Sequence, residues 1–380
     1  MKKEGGNLKK LFSVFDLKET KIDLYIVLSV LYLTSVGLLM VYSTSSIYAL
    51  DKFSDTSYYL KRHLIFLAIG FFFMIVITNL NYIALKKIAF VLYFVGLVFL
   101  VLVLIPGIGK EVGGARRWID LGLFSFQPSE VMKYFLVVYL AHLFSKNREK
   151  PQTFSSTIVP YILITGFYIV LIMMQPDFGM ALILLTLFAC MMFVAEVNLK
   201  YILGLGFTSA AFAGFAVMSA DYRLNRIFSF MDPWKDPLGQ GYQTVQSFVA
   251  FCIGGLTGTG LGEGTQKLYY LPQVHTDFIF SLVGEELGFI GVLSVIIAFI
   301  ILIVRGFKTA VNAPDFFGFL LVFGCILLIA LQASINMAVS VGVFPTKGLT
   351  LPFISYGGSS LISSLGAIGL VLSVSKKRIT

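Results

Sequence analysis

Apolar runs dominate the chain, and their lengths decide its class. Stretches of about 20 residues, enough to cross roughly 30 Å of hydrocarbon, fall near 24–43, 63–80, 88–106, 131–145, 157–174, 179–195, 200–219, 278–304, 316–340 and 351–375. Between them lie short polar connections, except for two long ones, 107–130 and 220–277. The pattern predicts an all-α polytopic membrane protein of about ten transmembrane helices, a single integral-membrane domain over 1–380. A basic tail, 1–23, precedes the first run, a large loop at 220–277 separates helices 7 and 8, and a short tail, 376–380, ends the chain. The first run lacks a small-residue cleavage site, so it reads as a retained helix.

Composition agrees. The chain is 57% hydrophobic and 13% charged, with mean hydropathy +0.88, against about 25% charged residues in soluble domains. The net charge of +9 does not require nucleic acid as a partner. Most Lys and Arg lie in the tails and in loops on the N-terminal side, which places both termini in the cytoplasm by the positive-inside rule. Cys190, Cys252 and Cys325 are scattered, without the spacing of a disulfide frame or a zinc site.

Polar groups at membrane depth are costly and tend to mark function, and they concentrate on the far side. Asp277, with His275, stands at the mouth of the eighth run, and Glu285 and Glu286 lie inside it. Asp277 is equally placed to cap that helix. Arg116 and Arg117, beside Trp118, suit a phosphate or pyrophosphate clamp, or a Trp interface anchor with snorkelling arginines. In Gln127-Pro128-Ser129-Glu130, Pro128 opens a helix on which Glu130 and Lys133 share a face, either as a charged cavity wall or as a bridge between helices. Asp177 caps the sixth helix or adds a carboxylate to the same cavity. Ser355 sits in a Gly- and Ser-rich start to the last run, where small residues allow close helix contact.

Residues 242–255 are too short to span, and their spacing predicts an interfacial helix with Val245, Phe248, Val249 and Cys252 on its apolar side. The glycines that follow have no Lys-Ser/Thr ending and no βα unit, so they indicate close backbone packing at a turn and not a nucleotide site. Residue chemistry alone leaves two classes: a transporter with a midplane site, or an enzyme acting on a lipid-linked substrate at the far face.

Five motifs narrow this. GARRWIDLGLFSFQPSEVMK, QPDFG, YRLNRIFSFMDPWKDPLGQGYQTVQS, LPQVHTDFIFSLVGEELGFIG and GVFPTKGLTLPFISYGGSS occur in order along the whole chain. Together they resemble the SEDS family of shape, elongation, division and sporulation proteins, its division and sporulation members more than its elongation member. The resemblance implies a ten-helix peptidoglycan glycosyltransferase that polymerises lipid II in the bacterial cytoplasmic membrane, at the division septum. It would work beside a class B penicillin-binding protein and other divisome or elongation proteins. It also implies that Asp277 is the catalytic residue, that Trp118 belongs to the functional set, and that Glu130, Lys133 and Asp177 line the central cavity. Arg116, Arg117, Gln127, His275 and Ser355 complete the candidate substrate-binding set. No cofactor is firmly implied. A Mg²⁺ or other divalent cation near Asp277 is a further source of positive charge for the leaving group. The alternative function is a lipid II flippase.

Overall fold

The computed structural model describes residues 22–122, 124–148, 153–218, 229–239, 241–267, 276–346 and 348–376. Helices stand at all ten expected places: α1 Leu24–Phe53, α2 Tyr58–Asn79, α3 Leu85–Leu102, α4 Pro128–Lys146, α5 Val159–Met174, α6 Phe178–Val194, α7 Leu199–Met218, α9 Ile279–Val311, α10 Phe316–Ser340 and α11 Gly358–Ser375. An additional helix, α8 Tyr242–Gly254, lies in the long loop. Among the described residues six helices are long and apolar enough to cross a membrane, and α5 and α6 are shorter apolar helices.

Several boundaries differ from expectation. Helices α1 and α9 are longer, at 30 and 33 residues. At 1.5 Å per residue α1 is about 45 Å long, so one end clears the hydrocarbon. Helix α4 begins at Pro128, which brings Glu130 into its first turn. Helix α11 begins at Gly358, and 351–357 form turns. Most of the N-terminal tail, residue 123, 219–228 and 268–275 (with His275), and 377–380 lie outside the described residues.

The chain is not purely helical. A small antiparallel sheet, β1 Gly109–Val112, β2 Ala115–Asp120 and β3 Ser125–Phe126, fills the first long loop. Its β1–β2 turn is Gly113-Gly114, with φ of 59° and 76°, a left-handed pair that glycine adopts freely and that closes a tight hairpin.

Of the six long apolar helices, α10 and α11 are the most enclosed, while α2 and α3 face outward along most of their length. Helix α11 packs on α2 and α10, α9 on α10 and α1, and α3 on α4. Small residues permit the close approaches. A Cβ on Gly37 would lie 2.6 Å from the Phe353 carbonyl oxygen, so α1 runs directly against the turn before α11. At the N-terminal end Arg305 grips Asp23 at 2.6 Å and Tyr82 donates to Asp315 at 2.7 Å. The far end carries the sheet and the turns that form the candidate site.

Helix α8 differs from the expected interfacial helix in burying its polar side, and Val245 from its apolar side, against protein. Its buried face holds Thr244, Val245, Ser247, Ala250 and Gly254, while Cys252 and Ile253 are exposed. Small and polar side chains turn toward α9, and Ser247 contacts Ser281 at 2.5 Å. In an apolar solvent it is the small polar face that gains by packing against protein.

Candidate functional site

Five charged groups from four elements converge at the far end. Strand alternation separates the two arginines of β2. Arg116 pairs with Glu111 across the exposed hairpin at 3.2 Å. Arg117 turns toward the body, where its Nε donates to the Gln175 carbonyl at 2.9 Å and its Nη2 to that of Pro176. It thus clamps the turn preceding α6 while its charge faces both Asp177 and Asp277. Trp118, half-buried, pairs with Lys110 of β1.

Asp177 caps α6 by accepting from Met180 N at 3.0 Å, so the capping role is present. It also lies within electrostatic reach of Glu130, Lys133 and Arg117. The two readings are compatible. Burial pushes its carboxyl above the usual range, opposed by Arg117 and the Met180 bond. Asp277 lies in the turn before α9, and α9 is not capped by it: the cap position is Phe278, without a side-chain bond. Burial pushes the Asp277 carboxyl up to about 7; Arg117 lowers it, Asp177 raises it and the Thr276 side chain lowers it.

Glu130 and Lys133 form an ion pair of 2.6 Å, with side chains 4% and 0% exposed. Lys133 also donates to Gln332 Oε1 of α10 at 2.6 Å. The same pair is therefore both a helix bridge and part of the charged cluster. Removing one member of a buried pair leaves an uncompensated charge, at about 3–5 kcal/mol. Lys133→Met should lower stability by that order. A second change, Glu130→Gln, should restore most of it without restoring activity. Thermal unfolding of the two variants in detergent checks this, and equal stability of the two would refute it.

Gln127 donates through its backbone N–H to Ser359 Oγ at 2.9 Å, fastening α4 to α11. Ser355 donates to the Thr276 carbonyl and accepts from Leu351 N, so it holds the turn carrying Asp277. The neighbouring Phe353 has φ 68°, a left-handed conformation that a bulky residue keeps only under enclosing packing. Sequence reasoning missed Gln332 and Asn336 on α10, both buried and both bonded into the site. The available signal was two carboxamides four residues apart within an apolar run.

Glu285 and Glu286 are buried but do not join Asp277. They lie eight and nine residues along α9, about 12 Å at helical rise, and each is engaged by the loop after α8. Glu285 accepts from Thr265 N at 2.6 Å, Thr265 Oγ1 at 3.0 Å and Gln266 N at 3.2 Å. Glu286 accepts from Ser43 at 2.6 Å, Lys267 Nζ at 2.8 Å and Gly262 N at 3.1 Å. Two residues later Gly288, at φ 65°, breaks α9. The loop backbone satisfies the groups this frees. Thr259 N and Gly260 N donate to the Glu285 and Glu286 carbonyls, and Phe289 N and Ile290 N donate to Gly255 and Leu256. Irregular backbone at this depth is tolerated only when so enclosed. A Cβ on Gly258 would stand 2.2 Å from the Glu286 carbonyl oxygen, and one on Gly254 would meet the Gly284 carbonyl, so these two glycines serve close packing, whereas Gly255 and Gly262 have open space there.

Among the described residues no three His, Cys, Asp or Glu side chains gather as a metal cluster.

Comparison with known proteins fits this architecture. The family model FtsW/RodA/SpoVE, described as "Cell cycle protein", matches residues 23–379. A relative from Trichlorobacter lovleyi, called "Probable peptidoglycan glycosyltransferase FtsW", is 47% identical over 353 residues, 93% of each chain. Stage V sporulation protein E of Bacillus subtilis is 42% identical over 360 residues, 94% of this chain and 98% of its own. Among solved structures, a chain from a study of polymerization and crosslinking by a peptidoglycan synthase complex superposes with TM-score 0.77 at 31% identity, covering 94% of this chain and 99% of that one. The rod shape determining protein RodA of Thermus thermophilus gives TM-score 0.70 at 28% identity, covering 94% and 98%. With the motifs in order, the helices in place and nearly the whole length matched, this chain belongs to the FtsW/RodA/SpoVE family, on its FtsW-like side.

Proposed function

We propose that this protein is a peptidoglycan glycosyltransferase that polymerises lipid II at the outer face of the cytoplasmic membrane, with Asp277 as general base. The observation that carries the reading is the placement of Asp277. Its half-buried carboxyl stands at the far end of the bundle, facing Arg117 and Asp177. The names of the FtsW relatives and of the synthase-complex structure support the activity class.

The chemistry suits these residue types. A sugar 4-hydroxyl of one lipid II attacks the anomeric carbon of another, the bond to undecaprenyl pyrophosphate breaks, and the configuration inverts in one displacement. Asp277 takes the hydroxyl proton as the new glycosidic bond forms. A positioned base contributes about 10²–10⁴-fold. The departing pyrophosphate needs positive charge, which Arg117 and Lys133 supply from this cluster; Arg116 is paired with Glu111 on the exposed hairpin. Trp118, half-buried on β2, borders the same end and binds the substrate's sugar and lipid-proximal parts, with His275, two residues before Asp277 in sequence, as a further candidate contact. A divalent cation fits as an additional contributor. Mg²⁺ needs only one or two protein carboxylates when phosphates complete its shell, and Asp277 with Asp177 would hold it. Bound there, it would neutralise developing pyrophosphate charge.

The partner is a peptidoglycan synthase subunit, specifically a class B penicillin-binding protein, and the site of action is the division septum with both termini in the cytoplasm.

Purified protein, alone and with such a partner, should convert lipid II into glycan chains. Lipid II crossing liposome bilayers without chain formation would instead make the protein a flippase. The pH dependence carries a sign. A base must be deprotonated, so with Asp277 near 7 the rate should rise through neutral pH and fall about tenfold per unit well below it. Arg117→Met removes a charge that favours the carboxylate, so it should move this limb to higher pH. A limb unmoved by Arg117→Met would contradict the electrostatic assignment.

A further inference from the structure

Two carboxamides on α10 join groups that lie far apart in sequence. Gln332 and Asn336 are one turn apart and share a helix face, and they are 1% and 2% exposed. Gln332 accepts from Lys133 at 2.6 Å and donates to the carbonyl and hydroxyl oxygens of Thr350, each at 3.1 Å. Asn336 Nδ2 donates to the Asp277 carbonyl at 2.9 Å and to the Leu349 carbonyl at 2.6 Å. Each amide therefore grips one charged residue of the site and one residue of the segment 349–350. The functional groups are matched to these tasks. At 332 an acceptor must meet an ammonium while a donor meets a carbonyl, which a carboxamide supplies and an apolar side chain of similar size does not. At 336 the donor side is fully used and Oδ1 has no partner, so the residue serves as a double donor.

We propose that Gln332 and Asn336 are positioning residues for the transferase reaction: Asn336 sets where the backbone of Asp277 stands, Gln332 fixes the Lys133 ammonium, and α10 thereby holds the spacing between base and cation. The inference rests on the reading of Asp277 as general base. Asp277 sits in a turn outside regular helix, and besides Asn336 that turn is held by Ser355 on the Thr276 carbonyl. A displacement of about 1 Å at a reacting group costs about 10²-fold. With Ser355 still in place, loss of the Asn336 donor should cost somewhat less, about 10- to 100-fold.

The test uses the full-length chain with its synthase partner and lipid II, comparing Asn336→Leu, Gln332→Glu, Gln332→Met and Asp277→Asn. Asn336→Leu keeps about the size of the side chain and loses both donors. Its kcat per folded molecule, with the folded fraction read from thermal unfolding in detergent, should fall about 10- to 100-fold with KM for lipid II little changed. Gln332→Glu keeps the acceptor for Lys133 and should retain more activity than Gln332→Met, which keeps neither group. Wild-type kcat per folded molecule in Asn336→Leu, with Asp277→Asn inactive, would overturn the positioning role alone. An active Asp277→Asn would overturn the general-base reading and this inference with it.

Discussion

Asp277→Asn should abolish polymerisation, lowering kcat by about 10²–10⁴-fold, while leaving the fold and the affinity for lipid II nearly unchanged. Asparagine matches the shape of aspartate and keeps the backbone carbonyl that Asn336 grips at 2.9 Å. The turn therefore stays where it is, and what disappears is the group able to accept a proton. The loss corresponds to about 3–5 kcal/mol of transition-state stabilisation. Because a group raised to about 7 is half protonated at neutral pH, its removal also erases the rise of rate with pH. A carboxylate that served only to hold a cation would give the same inactive variant with a different remedy. In that case activity in the wild type would depend on the divalent cation, and excess cation would restore part of the variant's rate. Polymerisation by Asp277→Asn at the wild-type rate would remove Asp277 from the chemistry altogether.

The fold was largely legible because the bilayer imposes a length of about 20 apolar residues on each span, and that length is visible without knowledge of packing. The sheet at 109–126 was not. Its strands are short and carry Lys110, Glu111, Arg116, Arg117 and Asp120, so neither alternation nor β-branched residues announce it. Only Gly113-Gly114 signalled the hairpin. Helix α8 was placed correctly and Cys252 on its apolar side is exposed, but the packing of its polar side on protein was not legible, because an interfacial helix leaves that side to water. Here Thr244, Ser247 and Gly254 are the contact face.

The site shows the same division. Glu130, Lys133, Asp177 and Asp277 stood out because charge in an apolar context is conspicuous, and the structure brings these four together with Arg117. Arg116 and Arg117 read as one clamp, yet neighbours on a strand point opposite ways. Gln332 and Asn336 escaped notice because a neutral amide costs less at depth than a charge and so attracts less attention. Glu285 and Glu286 were conspicuous for the same reason, but what they bind was not legible. A buried carboxylate finds its partners equally well in backbone N–H groups, and here the returning loop supplies them.

That difference leads to an opposite pair of signatures for the acidic residues of α9. Glu286 is fully buried against Lys267, whose side chain is 4% exposed, and it also accepts from Ser43 and the Gly262 amide. Glu286→Leu should destabilise the protein by about 3–5 kcal/mol, since it strands the Lys267 ammonium in a buried place. Lys267→Met should cost a similar amount by stranding the carboxylate. The double variant should be more stable than the sum of the two losses predicts, because an apolar pair removes both stranded charges at once. Thermal unfolding in detergent reads the cycle, and strict additivity would show that the two groups do not interact. Protease cleavage within 255–267 should rise in the single variants, since the loop is what the pair holds against the break at Gly288. Below its unfolding temperature Glu286→Gln should polymerise lipid II at close to the wild-type rate, with the pH limb in place. Asp277→Asn should behave in the reverse way, folded and inactive. One helix thus carries a carboxylate at its mouth that acts on substrate and another, two turns deeper, that keeps the helix joined to its loop.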